Sequence, residues 1–168
     1  MDVLPEDATD LGALIESSRV LCNVEARSKK HSLDILSELL ATAVPDLSQG
    51  TVFDSLIQRE KVGSTALEGG IAIPHGCLDG IDRIYGAFVK LSVPVDYDTV
   101  DGQPVDLLCG LLLPRGGEME CGHQLREFAR IFHDPGLLAA LRAATNSRGL
   151  FDLLAGQHPT QPARSASG

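Results

Sequence analysis

The chain has 168 residues, 43% of them hydrophobic, and 14 basic against 23 acidic residues give it a net charge of −9. This length fits one domain with a real core. Nucleic acid is not an expected partner, because its phosphates call for a basic surface and the basic run at residues 27–31 is short and followed by acidic residues.

The N-terminus, the hydropathy and the cysteines indicate a cytoplasmic protein. Residues 1–9 are polar, lack the apolar core of a signal peptide and are predicted to form a flexible arm. The longest apolar run, residues 107–113, is far shorter than the roughly 20 residues of a membrane span, so we expect no membrane insertion. The four cysteines form no C-x-x-C pair and are expected to stay reduced.

The first half of the chain predicts one strand and two helices. Residues 19–26 alternate between apolar and polar positions, which is typical of a strand. An apolar stripe near the helical period predicts a helix over residues 28–44, which Pro45 ends. Ser48 is a suitable N-cap for a second helix.

The second half predicts three strands and then three helices. Residues 71–73 form a brief apolar run, and residues 84–91 and 105–113 are stronger strand candidates. Helices are predicted over residues 124–133, 135–144 and 148–155. Strands interleaved with amphipathic helices predict an α/β fold, a three-layer α/β/α sandwich with helices on both faces of a central mixed sheet.

The segment at residues 69–76 is the most informative for chemistry. Pro74 keeps Ile73 extended, so the strand should continue up to His75, and Gly76 adds no side chain to shield the imidazole. A neutral imidazole, with an ordinary pKa of roughly 6.5, has a nitrogen lone pair that can attack phosphorus. A turn histidine with one structural hydrogen bond explains the residues equally well.

Three motifs carry a family resemblance. They are REKVGST at residues 59–65, GIAIPHG at residues 70–76 and DGQPVDLL at residues 101–108. With them the chain resembles the nitrogen-regulatory and mannitol/fructose-type enzyme IIA domains of the bacterial phosphotransferase system, and the nitrogen-regulatory branch most closely. The resemblance covers about residues 10–155, leaving residues 156–168 as an expected disordered tail.

The resemblance implies a phosphohistidine at His75, on Nε2, charged by an HPr-like phosphocarrier protein. Arg59 matches the family's active-site arginine and could hold two phosphoryl oxygens, although an ion pair with Asp54 or Glu60 is the structural alternative. The hydroxyls of Ser64 and Thr65 could donate to phosphate or belong to a turn or cap. We expect no metal and no cofactor, because the donor is already an activated phosphoramidate.

The chain departs from the family at a second active-site histidine. Family members carry it within an H-L-x-x-L-x-x-x-A pattern, and counting back from Ala129 places Cys121 there, with His123 two residues later. Either His123 fills the site or a thiol stands in it. A neutral thiol donates to phosphate more weakly than imidazolium does.

These observations leave three functions open. The first is a phosphoryl carrier, not a free-standing metabolic enzyme, that regulates targets such as sensor kinases or potassium-transport proteins according to its phosphorylation state. The second is a docking module of the same fold with little or no phosphorylation. The third is a zinc site made by His75, Cys77, Cys121 and His123, whose one-residue spacers are unusual for ligands.

Overall fold

The computed structural model describes residues 11–99, 101–116 and 118–157, without the side chains of residues 118–121. The arm predicted at residues 1–9 and most of the tail predicted at residues 156–168 lie outside the described residues. No helix in the described part of the chain is both long and apolar enough to cross a bilayer.

The described residues form six strands and six α-helices. The strands are β1 (Val20–Val24), β2 (Ala66–Leu67), β3 (Ile71–Ala72), β4 (His75–Leu78), β5 (Tyr85–Val95) and β6 (Val105–Pro114). The helices are α1 (Leu11–Ile15), α2 (Lys29–Ala41), α3 (Gln49–Val62), α4 (Glu118–Ile131), α5 (Pro135–Ala143) and α6 (Ser147–Ala155).

All six strands join one mixed sheet, in which five follow the order β1-β5-β6-β3-β2. β3 pairs with the first half of β6, and β4 pairs with its second half. β1 runs parallel to β5, while β3 and β4 run parallel to β6. β5 and β6 are antiparallel, as are β2 and β3. The sheet is therefore mixed, as predicted.

Helices cover both faces of the sheet, which confirms the predicted three-layer architecture. The side chains of β6 alternate between two cores: Leu108 and Leu112 pack with α2 and α3, while Leu107 and Leu111 pack with α1, α4, α5 and α6. A strand that is apolar at every position, as residues 107–113 are, is the sequence expected of a strand covered on both faces.

The element boundaries differ from the predictions where the local signal is weak. Ser48 caps α3 as predicted, its Oγ accepting from the Thr51 N–H at 3.1 Å. α2 ends at Ala41 rather than residue 44, and α4 begins at Glu118 rather than residue 124. The short elements α1, β2 and β4 were not predicted, because two to five residues are too few to establish a period.

β4 places His75 beside the most buried strand of the sheet. His75 is the first residue of β4 and lies opposite Leu111 of β6. The Leu111 N–H donates to the Pro74 carbonyl at 2.9 Å, so the backbone on both sides of the histidine is tied to β6. Gly76, the next residue, is buried against α3.

Replacing Gly76 by alanine is predicted to destabilise the fold. A Cβ at Gly76 would overlap Ser55 Oγ and lie 2.8 Å from Ser55 Cβ, so α3 would have to move away from β4. Overpacking of this kind costs about 1–3 kcal/mol of unfolding free energy. Urea denaturation of the Gly76→Ala protein measures it.

Gly50→Ala is the matched control. Gly50 lies in the first turn of α3, and a Cβ there would meet no atom within 4 Å. This variant should gain about 0.4–1 kcal/mol, because alanine restricts the unfolded chain. Equal stability of the two variants would mean that the contact between Gly76 and Ser55 does not constrain the fold.

Candidate active site

The imidazole of His75 is half-buried and held in one tautomer. Its Nδ1 lies 2.9 Å from the Ile73 carbonyl oxygen. A carbonyl can only accept, so Nδ1 carries the hydrogen and Nε2 keeps its lone pair. Nε2 is therefore the nitrogen available for bond formation.

The guanidinium of Arg59 contacts that nitrogen directly. Its Nε–H donates to His75 Nε2 at 3.2 Å, and its Nη1 donates to the Gly63 carbonyl at 2.9 Å. Among the described residues Arg59 makes no ion pair, so the structural alternative with Asp54 or Glu60 is not what the geometry shows. α3 and the turn that follows it hold the guanidinium on the imidazole.

The surroundings keep His75 neutral. Burial is the largest cause that lowers the pKa of the imidazole below its ordinary value, and the Arg59 charge lowers it further. The hydrogen bond to Ile73 and the Glu60 charge act in the opposite direction but do not reverse the shift. At neutral pH the ring is thus uncharged.

Arg59→Gln is predicted to raise the pKa of His75. The substitution removes a nearby positive charge, which makes protonation of the imidazole less costly. Titration of the His75 ring by NMR should give a pKa below about 6.5 in the parent protein and a higher value in the variant.

Lys61→Gln is the control for this titration, because Lys61 is an exposed cation two residues further along α3. It should leave the His75 titration nearly unchanged. If both variants shift the pKa of His75 equally, the effect comes from general charge and not from the Arg59 contact.

A buried carboxylate holds the turn after α3. The side chain of Glu60 is 4% exposed and lies 3.0 Å from Lys29 Nζ. It accepts from the Thr65 N–H at 3.2 Å, from the Thr65 hydroxyl and from the Tyr97 hydroxyl at 3.2 Å. A buried charge is stable only when it is paired and hydrogen-bonded in this way. Burial and the Glu60 charge also raise the pKa of Tyr97.

This network distinguishes the two hydroxyls proposed for phosphate binding. The one hydrogen of the Thr65 hydroxyl is directed to Glu60, so Thr65 supports the turn. Ser64 Oγ instead accepts from the Ala66 N–H at 3.1 Å, which leaves its hydroxyl hydrogen available to a phosphoryl oxygen. The sequence analysis did not identify Glu60 and Tyr97 as a contacting pair, because they lie 37 positions apart and no local pattern connects them.

Glu60→Ala is predicted to lower the unfolding free energy by about 3–5 kcal/mol. The substitution removes the carboxylate that pairs with Lys29 and the three hydrogen bonds that this carboxylate accepts. Tyr97→Phe should cost less, about 1.5–3 kcal/mol for one hydrogen bond to a charged group. Thermal and urea denaturation measure both. Glu68→Ala, at an exposed carboxylate, should change stability by no more than about 0.5 kcal/mol. A loss for Glu60→Ala as small as that for Glu68→Ala would contradict the network.

Two cavities open on either side of His75. One, of about 350 Å³, is lined by residues that include Arg59, Ser64, Thr65 and His75. The other, of about 520 Å³, is lined by residues that include Gln58, Cys77 and Arg115 beside His75. Both cavities are lined by His75, so its imidazole borders space that is open to the surface.

Helix α4 closes one side of both cavities, but not with His123. Among the residues whose side chains are described, Gly122, Leu125, Arg126 and Ala129 line the cavity from α4. The imidazole of His123 is 67% exposed, and its Nε2 lies 3.8 Å from a Glu127 carboxylate oxygen. The structure therefore does not bring His123 to His75. The side chain of Cys121 lies outside the described residues.

The zinc alternative is not assembled by the described residues. Among them no group of three histidine, cysteine or acidic side chains could hold a metal ion, and the search did not include the Cys121 thiol. Cys109 is buried in the core, which raises the pKa of its thiol to about 12.

Comparison with known proteins decides the family. The family model described as "Phosphoenolpyruvate-dependent sugar phosphotransferase system, EIIA 2" matches residues 13–156. The chain belongs to this family. The domain predicted at residues 10–155 overlaps that match almost completely.

The relatives of this IIA domain place it in the nitrogen-regulatory branch. A nitrogen regulatory protein of Bradyrhizobium diazoefficiens is 36% identical over 142 residues, covering 84% of this chain and 92% of the relative. The crystal structure of nitrogen regulatory protein IIA-Ntr from Neisseria meningitidis has a TM-score of 0.78 and 33% identity, covering 85% and 97% of the two chains.

A more distant structure agrees in fold. Enzyme IIA for mannitol from Escherichia coli, solved in complex with phosphorylated enzyme IIB, has a TM-score of 0.69 at 17% identity. The match covers 85% of this chain and 98% of the mannitol enzyme chain. The predicted family and fold are thus confirmed.

Proposed function

We propose that this IIA domain is a phosphoryl carrier that accepts a phosphoryl group on His75 Nε2 from the phosphohistidine of an HPr-like protein. The observation that carries the proposal is the contact of Arg59 Nε with His75 Nε2, while Nδ1 is fixed on the Ile73 carbonyl. One nitrogen is held as a nucleophile, and a cation that can bind phosphoryl oxygens already lies beside it.

The transfer step balances without an added proton or water. The lone pair of His75 Nε2 forms the new N–P bond while the N–P bond of the donor breaks, and its electron pair returns to the donor imidazole. The Nδ1–H of His75 keeps its hydrogen bond to the Ile73 carbonyl, and this hydrogen bond stabilises the positive charge that builds up on the ring. Positioning and charge neutralisation supply most of the catalysis in such transfers.

Arg59 must exchange one contact for another during the step. In the resting site its Nε–H occupies the Nε2 lone pair, so it has to leave that nitrogen before the bond forms. The phosphoryl oxygens lie next to Nε2 and offer a charge-assisted, bidentate contact in return. Ser64 can add a neutral hydrogen bond from the same turn.

The partners belong to the same proposal. The donor is an HPr-like phosphocarrier. In the cytoplasm, the IIA domain would regulate proteins such as sensor kinases or potassium-transport proteins according to its own phosphorylation state. The names of the nitrogen regulatory relatives support a regulatory role.

A docking module with inefficient phosphorylation is the second candidate. It is favoured by one observation: position 121 holds a cysteine, and His123 is turned toward Glu127. Without a second imidazolium the phosphorylated state would lose one stabilising charge. The two candidates differ in whether an energised HPr-like donor can charge His75.

Incubation with that energised donor, followed by intact mass measurement, tests the proposal. The protein should gain one phosphoryl group, labile in acid and stable in base, and His75→Ala should gain none. Arg59→Ala should slow the transfer about 10²–10³-fold, the scale for one lost electrostatic contact in a transition state.

His133→Ala and Lys61→Ala are the controls, because both residues are exposed and neither lines the cavities beside His75. Both variants should be charged at the parent rate. Phosphate uptake by the His75→Ala protein would overturn the assignment, and a parent protein that is never charged would favour the docking module.

A further inference from the structure

Helix α4 presents a second arginine to His75. Arg126 lines the 350 Å³ cavity together with Arg59, Ser64 and His75. A Cβ built on Gly122 would lie 3.9 Å from Arg126 Nη1, so the guanidinium folds back along α4 over Gly122. Gly122 lines both cavities beside His75. The guanidinium therefore lies at the rim of the phosphoryl site.

The other arginine of this helix is engaged differently. Arg130, one turn further on, lies 3.3 Å from the Glu127 carboxylate and is 72% exposed. Arg126 has no ion pair among the residues that the structure describes. Arg126 is exposed as well, but it lines the cavity without a carboxylate partner and is available to an anion that enters there.

Phosphorylation of His75 would place such an anion in the cavity. A phosphoryl group adds up to two negative charges beside Nε2. Arg59 is the cation already in contact with His75, and its fork can cover two of the three phosphoryl oxygens. Arg126 and Gly122 line the same cavity from the α4 side, from which a cation can approach the remaining oxygen.

We propose that Arg126 binds the phosphoryl group on His75 and stabilises the phosphorylated state, supplying from α4 the positive charge that His123 does not bring to the site. The inference rests on the proposed phosphorylation of His75. It assigns to this chain a phosphoryl ligand that lies five positions after Cys121. A Cβ at position 122 would make only an ordinary van der Waals contact with Arg126 Nη1, so the folded-back side chain lies directly against this turn of α4.

An arginine makes this site behave differently from one that uses a histidine. Arginine side chains in general keep their positive charge throughout the physiological pH range. An imidazolium loses its charge near pH 6.5. The charge of Arg126 is therefore constant in the physiological range, whereas a histidine placed at the same position would lose its charge there, and only a contact with the phosphoryl group would make the exchange constant follow that loss.

The test measures the equilibrium constant for phosphoryl exchange between the HPr-like donor and this protein, by intact mass at several donor ratios. Arg126→Ala should lower the constant about 10–100-fold, as expected for a lost hydrogen-bonded ion pair. Arg126→Lys should retain part of it, because the charge remains and the bidentate geometry is lost. Arg130→Ala is the matched control and should match the parent.

The pH dependence separates a phosphoryl contact from a packing effect. For Arg126→His, the constant relative to that of the parent should fall as pH rises through about 6.5, because the new imidazolium deprotonates. For Arg126→Ala the same ratio should change less over this range, because only the charge of the phosphoryl group varies there. The melting temperatures of both variants should equal that of the parent within error, since no described ion pair is lost.

Each outcome has a defined meaning. If the parent is charged on His75 and Arg126→Ala has the same constant, the role of Arg126 is overturned and the carrier function stands. Equal losses in Arg126→Ala and Arg130→Ala would show an effect of helix charge and also overturn it. If the parent takes up no phosphoryl group from a competent donor, the carrier function fails and the inference fails with it.

Discussion

The buried carboxylate of Glu60 is the constraint on which the site depends. A charge that is nearly excluded from water must be compensated locally, and Lys29, Thr65 and Tyr97 provide that compensation. These partners come from α2, from the turn after α3 and from the segment after β5. One ionised group thus ties three parts of the chain together beside His75.

The consequence reaches the histidine through the turn. Glu60 fixes Thr65, and the same turn presents the Gly63 carbonyl that accepts from Arg59 Nη1. Arg59 in turn lies on His75 Nε2, whose orientation is set by the pairing of β4 with β6. The neutral, oriented imidazole is therefore a product of packing and buried electrostatics, not of the local segment alone.

Helix α4 carries both His123 and the arginine to which we attribute the second positive charge of the site. A helix presents one face to a neighbour, and its period decides which positions lie on that face. Residues 122, 125, 126 and 129 face the cavity beside His75, so a histidine at position 123 is carried toward solvent and Glu127. Arginine has a longer side chain than histidine and can reach back one turn along the helix, as Arg126 does over Gly122.

The sequence by itself determined the sandwich, the long elements and the motifs that name His75 and Arg59, because apolar periods and motif spacing are local properties of the chain. Only the tertiary structure decided what these residues contact. The short strands β2 and β4, the burial of Glu60 against Tyr97, the engagement of Thr65 and the direction of His123 and Arg126 all depend on residues far apart in the chain. Burial and pairing across such distances are set when the layers pack, and no local pattern records them.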